Sequence, residues 1–125
     1  VAVFDTSAVL AILLGEPGGD TAAAQLIDSL VSTVNVIEVL TRLVDGGATV
    51  SKAEAFFLQL GLQVVDLDHH QAIDAAGLRA ATRHRGLSLG DRACLALARR
   101  EGLPVLTADR QWEGLDVGVD IRQIR

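Results

Sequence analysis

The sequence predicts an α/β fold, with a central, mainly parallel sheet flanked by helices. Three observations carry that prediction. Short apolar runs such as Val1–Phe4 and Pro104–Thr107 read as strands buried on both faces. The segments between them place apolar residues at helical spacing and end at Gly or Pro. Strands alternating with helices pair in parallel, because a parallel neighbour is reached only through a crossover. The 125 residues suit a single domain, 1–125, whose core is Leu, Val, Ile and Ala, since only four residues are Phe or Trp.

The chain opens VAVFDTSAVLAILL. Val1–Phe4 reads as the first strand and Ser7–Leu14 as a short helix, stopped by Gly15, Pro17 and the pair Gly18-Gly19. Asp20 caps a second helix to about Leu30, with Ala23, Leu26, Ile27 and Leu30 on one face. Val31–Thr33 is a brief strand, and Asn35 to about Val44 is a helix ended by Gly46-Gly47. Ser51 caps a further helix through about Leu60, closed by Gly61. Leu62–Leu67 is a strand, and Asp68 starts a helix reaching about Arg83. Beyond Gly86, Ser88–Glu101 is a helix that Gly102 terminates. Pro104–Thr107 is a strand, Asp109–Trp112 a turn or short helix, and Val119–Arg122 the last strand. In open sheets of this kind ligands lie beyond the carboxyl ends of the strands, where Asp5 and Asp109 fall.

Sixteen acids against eleven bases give a net charge of −5, which argues against simple electrostatic capture of nucleic acid. Ten of the bases are Arg, and seven of the eleven lie between Arg79 and Arg110. Such a cluster suits bidentate contact with phosphate or carboxylate, and a solvated helix face explains it equally well. The longest apolar stretch, Ala8–Leu14, falls far short of the ~20 residues that span a bilayer. No signal peptide is visible, and the single Cys94 excludes an intrachain disulfide, so a cytoplasmic location is expected.

Four acids stand out by position. Asn35-Val-Ile-Glu38 and Ser88-Leu-Gly-Asp91 each place an acid three residues after a capping residue, which resembles a capping box fully in the first and loosely in the second, whose acid is Asp. Asp5 and Asp109 can themselves cap the helices they precede. Taken singly, each acid is better explained by capping than by catalysis. Taken together, all four sit at strand carboxyl ends or first helical turns and can face one crevice. Carboxylates about 4 Å apart repel by up to ~4 kcal/mol per pair at an intermediate dielectric, so such a set needs a cation or a shared proton. Oxygen-only ligands select a hard ion, Mg²⁺ or Mn²⁺, over Zn²⁺. A hard ion with positions left for water suits phosphodiester hydrolysis, because it activates the water and steadies the leaving oxygen. The hydroxyls of Thr6, Ser7 and Thr107 can orient bound water or phosphate.

These residues resemble the PIN-domain ribonucleases, particularly the VapC-type toxins of bacterial toxin–antitoxin pairs. The matching stretches are VFDTSAVLAIL, NVIEVL with Glu38, GLSLGDRACLALA with Asp91, and LPVLTADRQW with Asp109. They come in the family's order and cover nearly the whole chain. The resemblance implies a three-layer PIN-like domain. It also implies an acidic quartet of Asp5, Glu38, Asp91 and Asp109, with Ser7 and Thr107 as supporting hydroxyls. It further implies Mg²⁺-dependent endonucleolytic cleavage of RNA, a homodimer, and inhibition by a small cognate antitoxin. Asn35 is a departure, since relatives often carry a small residue there. Without the quartet, the remaining twelve acids and eleven bases nearly balance. Arg83, Arg85, Arg92 and Arg110 then become candidates for contact with the RNA backbone.

Two rival readings remain. A haloacid-dehalogenase-like phosphatase would use Asp5 as its nucleophile, but the second Asp such enzymes carry two residues on is Ser7 here. A PIN-like module that only binds has no need of four mutually repelling acids. Asp66, Asp68, His69 and His70 suggest a metal cluster, yet adjacent helical histidines point about 100° apart, so Asp68 reads as a cap and the histidines as first-turn residues. His84 reads as a surface residue, Cys94 as a core filler, and Trp112 as packing beneath the last strand. The glycines form no nucleotide-binding pattern, so no nucleotide cofactor is expected. The apolar stretches Val31–Leu43 and Phe56–Leu60 are candidates for a dimer face or an antitoxin groove.

Overall fold

Five short strands build the sheet: β1 (Val3–Phe4), β2 (Leu30–Ser32), β3 (Gln63–Val65), β4 (Val105–Thr107) and β5 (Ile121–Gln123). In the computed structural model, which describes residues 1–125, all adjacent strands are parallel and their order is β3-β2-β1-β4-β5. Seven α-helices connect them: α1 (Thr6–Leu13), α2 (Gly19–Ala23), α3 (Thr33–Asp45), α4 (Val50–Leu58), α5 (His69–Gly77), α6 (Arg79–Thr82) and α7 (Leu89–Glu101). Short 3₁₀ turns at Arg83–Arg85 and Arg110–Trp112 complete the set.

Successive side chains of a strand point to opposite faces, and that alternation divides the core in two. Phe4, Val31 and Leu106 pack with Ala8, Val9, Ala22, Val39 and Phe57, from α1 to α4. Val3 and Val105 face the other way, against Ala75, Trp112 and the buried run Cys94–Ala98 of α7. Both faces of the sheet are therefore covered, in the three layers that the resemblance implied.

The strand order also locates the crevice. The chain runs from β1 outward to β2 and β3, returns across the sheet, and places β4 on the opposite side of β1. Helices of the first half cover one face and helices of the second half the other. Between β1 and β4 the crossovers diverge, and the carboxyl ends of these two strands are where open sheets of this kind place a ligand cleft. Asp5 directly follows β1, and Thr107 ends β4.

Several boundaries differ from the sequence reading. The helix expected from Asp20 to Leu30 is only the short α2, because Leu30 is drawn into the sheet between Val3 and Gln63. Asp28 turns the chain there with a left-handed φ of 61°, a conformation Asp tolerates. Ser29 then ties the turn to β1, accepting from the Ala2 N–H at 3.0 Å and donating to the Gln25 carbonyl. Helix α3 begins at Thr33 with Ser32 as its cap, so Asn35 lies inside the helix and forms no capping box with Glu38. Thr49, rather than Ser51, caps α4. The long helix expected after Asp68 breaks into α5, α6 and a 3₁₀ turn. No helix is long and apolar enough to cross a membrane.

Gly19 illustrates how tightly the first layer is packed. A Cβ there would lie 2.5 Å from the Ala11 carbonyl oxygen, whereas one at Gly77 would meet nothing within 4 Å. Gly19→Ala is expected to destabilise the protein by at least ~1 kcal/mol through this backbone clash. Gly77→Ala is expected to stabilise α5 by ~0.5–1 kcal/mol. Urea unfolding of the two variants beside the parent checks both signs.

Candidate active site

Asp5 is held where β1 meets α1. Its Oδ1 accepts from the Ala8 N–H at 2.8 Å, the N-cap bond of α1. Ser7 Oγ donates to the same carboxylate at 2.7 Å, and Thr107 Oγ1 donates to Oδ2 at 2.6 Å. Both hydroxyls also accept from the loop after β4, Ser7 from the Ala108 N–H and Thr107 from the Asp109 N–H. The two supporting hydroxyls thus stitch the ends of β1 and β4 together around one carboxylate. Asp5 is only 3% exposed. Burial pushes its pKa up to about 6, against the lowering influence of Thr107, Ala8 and Ser7 and with a small addition from the negative Asp91.

Glu38 reaches the same end of the sheet from the second turn of α3. Its Oε1 accepts from Thr6 Oγ1 at 2.5 Å and from Asn35 Nδ2 at 3.1 Å, while Oε2 has no hydrogen-bond partner. The carboxylate lies against the first turn of α7, where a Cβ on Gly90 would be 2.6 Å from its Cδ. Glu38 therefore abuts the segment that carries Asp91.

Asp91 occupies the third position of α7 in a complete capping box: Ser88 Oγ accepts from the Asp91 N–H, and Asp91 Oδ2 accepts from the Ser88 N–H at 2.9 Å. Asp109 caps the last 3₁₀ turn, its Oδ1 accepting from the Gln111 N–H at 2.9 Å. Each still has one oxygen without a hydrogen bond. Burial raises the Asp91 pKa; its bonds to Ser88 oppose this, and the charges of Asp109 and Glu38 reinforce it. Beneath them, the Cys94 thiol is pushed up by burial first and then by the charges of Asp5, Asp91 and Glu38. One buried point thus feels three of the four acids at once.

None of the four acids has a basic partner. The ion pairs of the molecule join Arg100 to Asp68, Arg110 to Glu113, Arg122 to Asp120 and Arg125 to Glu16. The quartet carries negative charge that no ion pair offsets, and the free oxygens of Glu38, Asp91 and Asp109 are hard donors suited to Mg²⁺ or Mn²⁺. The oxygens are not gathered into a finished cage: no three His, Cys, Asp or Glu side chains lie close enough together to hold an ion as they stand.

The remaining sequence candidates separate into partnered and free groups. Arg85 Nη1 donates to the carbonyls of Gln111 and Glu113, pinning the 3₁₀ turn that follows Asp109. Arg92 Nη1 donates to the Ala75 carbonyl, and Arg110 pairs with Glu113. Of the four arginines proposed to meet RNA, only Arg83 has no hydrogen bond or ion pair within the chain. Asp68 caps α5 and pairs with Arg100, while His69, His70 and His84 are exposed. Cys94 and Trp112 are wholly buried. In the stretch Val31–Leu43 only Ile37 is an exposed large apolar residue, so most of that face belongs to the core; Phe56 and Leu58 are exposed. Sequence reasoning did not assign the hydrogen bonds that Thr6 and Asn35 make to Glu38, because these residues meet only in three dimensions.

Comparison with known proteins bears on the family and the fold. A model of the PIN domain family matches residues 2–118. No curated protein matches the sequence. A toxin–antitoxin complex from Klebsiella pneumoniae superposes with a TM-score of 0.77 at 17% identity, covering 100% of this chain and 98% of that one. DNA-bound VapBC from Salmonella typhimurium gives 0.75 at 20% identity, covering 98% and 97%. VapBC-5 from Mycobacterium tuberculosis, described as a member of the VapBC family of toxin–antitoxin systems, gives 0.61 at 26% identity, covering 99% and 97%.

The buried Asp5 has a consequence for stability. Its pKa is raised from 3.8 to about 6, so the folded state disfavours the ionised form, and stability falls as pH rises between these values. Asp5→Asn removes the charge and keeps an acceptor for the Ala8 N–H. The metal-free variant should be more stable than the parent at pH 7.5 by ~1–3 kcal/mol, with the difference closing below about pH 4. Urea unfolding in EDTA at the two pH values checks this.

Proposed function

The chain belongs to the PIN-domain family, and on that premise we propose that it is a Mg²⁺-dependent endoribonuclease, with Mn²⁺ able to substitute, acting as the toxin of a toxin–antitoxin pair. The observation that carries the proposal is the concentration of negative charge at the carboxyl ends of β1 and β4, where Asp91 and each of Asp5, Glu38 and Asp109 repel one another and none of the four has a basic partner. As helix caps alone, these acids would have no reason to converge, since each cap is satisfied within its own segment. Glu38, moreover, caps nothing.

In this reading Glu38, Asp91 and Asp109 each offer the cation an oxygen that the protein leaves free, Glu38 through Oε2, while Asp5 would bind through an oxygen that also accepts from a hydroxyl. The cation supplies charge for the phosphodiester and an acidified water as nucleophile. Ser7 and Thr107 keep Asp5 in one orientation while donating to it, which lowers the reorganisation needed on binding. Arg83, free and exposed, is the arginine best placed chemically to contact phosphate. The dehalogenase-like alternative is without support, because Ser7 stands where a second acid would be required.

Partners follow from the neighbours. Structures described as toxin–antitoxin complexes share this fold, and a small antitoxin is the proposed regulator here. An antitoxin Arg reaching the carboxylates would compete with the cation for the same charge. A homodimer is the proposed assembly, with exposed Phe56 and Leu58 on α4 available to it.

Asp5→Asn and Asp91→Asn are each expected to lower Mg²⁺-dependent RNA cleavage by more than about 100-fold, beyond the range typical of outer ligand partners, with unchanged circular dichroism. EDTA should abolish cleavage by the parent, and Mn²⁺ should restore it. Full cleavage by either purified variant would refute the proposal.

A further inference from the structure

Asn35 sits in the core at 1% exposure with an unusual allocation of hydrogen bonds. Its Nδ2 faces three acceptors, Thr6 Oγ1 at 3.0 Å, Glu38 Oε1 at 3.1 Å and the Gly90 carbonyl at 3.2 Å. Its Oδ1 is buried and has none. Flipping the amide would set Oδ1 against a carboxylate and a carbonyl, so the network itself fixes the orientation. A buried amide oxygen without a partner is unfavourable, and α3 needs no cap at this position because Ser32 supplies it. Helix propensity and packing therefore give no account of Asn35. Its contacts with Glu38 do.

We infer that Asn35 and Thr6 are positioning residues that clamp Glu38 Oε1 against the first turn of α7 and leave Oε2 as the oxygen for a divalent cation, with Gly90 required to make room for the clamped carboxylate. Thr6 completes the clamp from the other side: its hydroxyl donates to Glu38 Oε1 and accepts from Asn35 Nδ2. The amide in turn bonds the Gly90 carbonyl, so α1 is joined to α3 through the Glu38 carboxylate and α7 through the Asn35 amide. A side chain as long as Glu would otherwise explore many rotamers, and each ordered torsion would oppose metal binding. The clamp meets that ordering requirement in advance. Gly90 contributes by absence, because a methyl group would fall 2.5 Å from Oε2. Outer partners of this kind, which orient a ligating carboxylate without touching the metal, commonly change metal affinity 10–100-fold when removed.

The inference rests on the proposed function for the presence of a cation, and Mn²⁺ binding tests the two separately. Binding is followed on the metal-free protein by the loss of the free Mn²⁺ paramagnetic signal, with melting curves recorded alongside. Thr6→Val, Asn35→Ala and Gly90→Ala are each expected to weaken Mn²⁺ binding by about 10-fold or more while the protein remains folded. Thr6→Ser, which keeps the hydroxyl, should stay within about twofold of the parent, well below that range. Parent-like affinity in the first three variants would overturn the clamp, as would an equal loss in Thr6→Ser and Thr6→Val. A parent protein that takes up no Mn²⁺ would overturn the cation reading on which the clamp depends.

Discussion

Asp5 is a carboxylate buried at the carboxyl end of the central strand, and the surrounding structure is organised by the need to tolerate it. Its two oxygens take the Ala8 N–H and the hydroxyls of Ser7 and Thr107. Those bonds only partly offset desolvation, which is why the pKa stands near 6. A group that weakens the fold when ionised persists where something else is gained by the charge. Here the surroundings add to the charge rather than relieve it, because Glu38, Asp91 and Asp109 join it and no Arg is directed at any of them.

The strain is made bearable by assigning most of these acids a second task. Asp5, Asp91 and Asp109 each accept a backbone N–H at the start of a helix or 3₁₀ turn. Helix N-termini present positive partial charge, so three of the four negative groups are partly compensated without an ion pair that would block the cleft. In Asp91 and Asp109 the cap fixes one oxygen and leaves the other open, whereas both Asp5 oxygens are engaged by hydroxyls as well. Glu38 lies too deep in α3 for this arrangement, and side chains from Thr6 and Asn35 take the place of the backbone donor. The parallel sheet supplies the common geometry, since β1 and β4 end side by side at the point where the crossovers diverge.

Much of this was legible in the sequence because the informative signals are local. Short apolar runs marked all five strands, three of them just after a glycine (Gly61, Gly102 and Gly118), and Ser88-Leu-Gly-Asp91 announced a capping box that the structure contains. Less was legible wherever two candidate caps stood close together. Ser32 prevails over Asn35, and Thr49 over Ser51, because the preceding strand or loop sets where the helix begins. Leu30 fits a helical face as well as a strand, and its pairing with Val3 and Gln63 decides between them at a sequence distance no local pattern reaches. The arginine cluster was ambiguous for the same reason: the carbonyls that engage Arg85 and Arg92 come from distant segments. Asn35 stood out by sequence as a departure from its relatives, but its purpose depends on Thr6 and Gly90, which only the fold brings to it.

The central claim is that four acids from separate segments share one divalent cation at the β1/β4 cleft. Anomalous diffraction from crystals soaked in Mn²⁺ measures this most directly. The account predicts a peak in the cleft within bonding distance of carboxylate oxygens from at least two of Asp5, Glu38, Asp91 and Asp109. A cleft without a peak at saturating Mn²⁺, or a peak bound only by acids elsewhere on the surface, would contradict it.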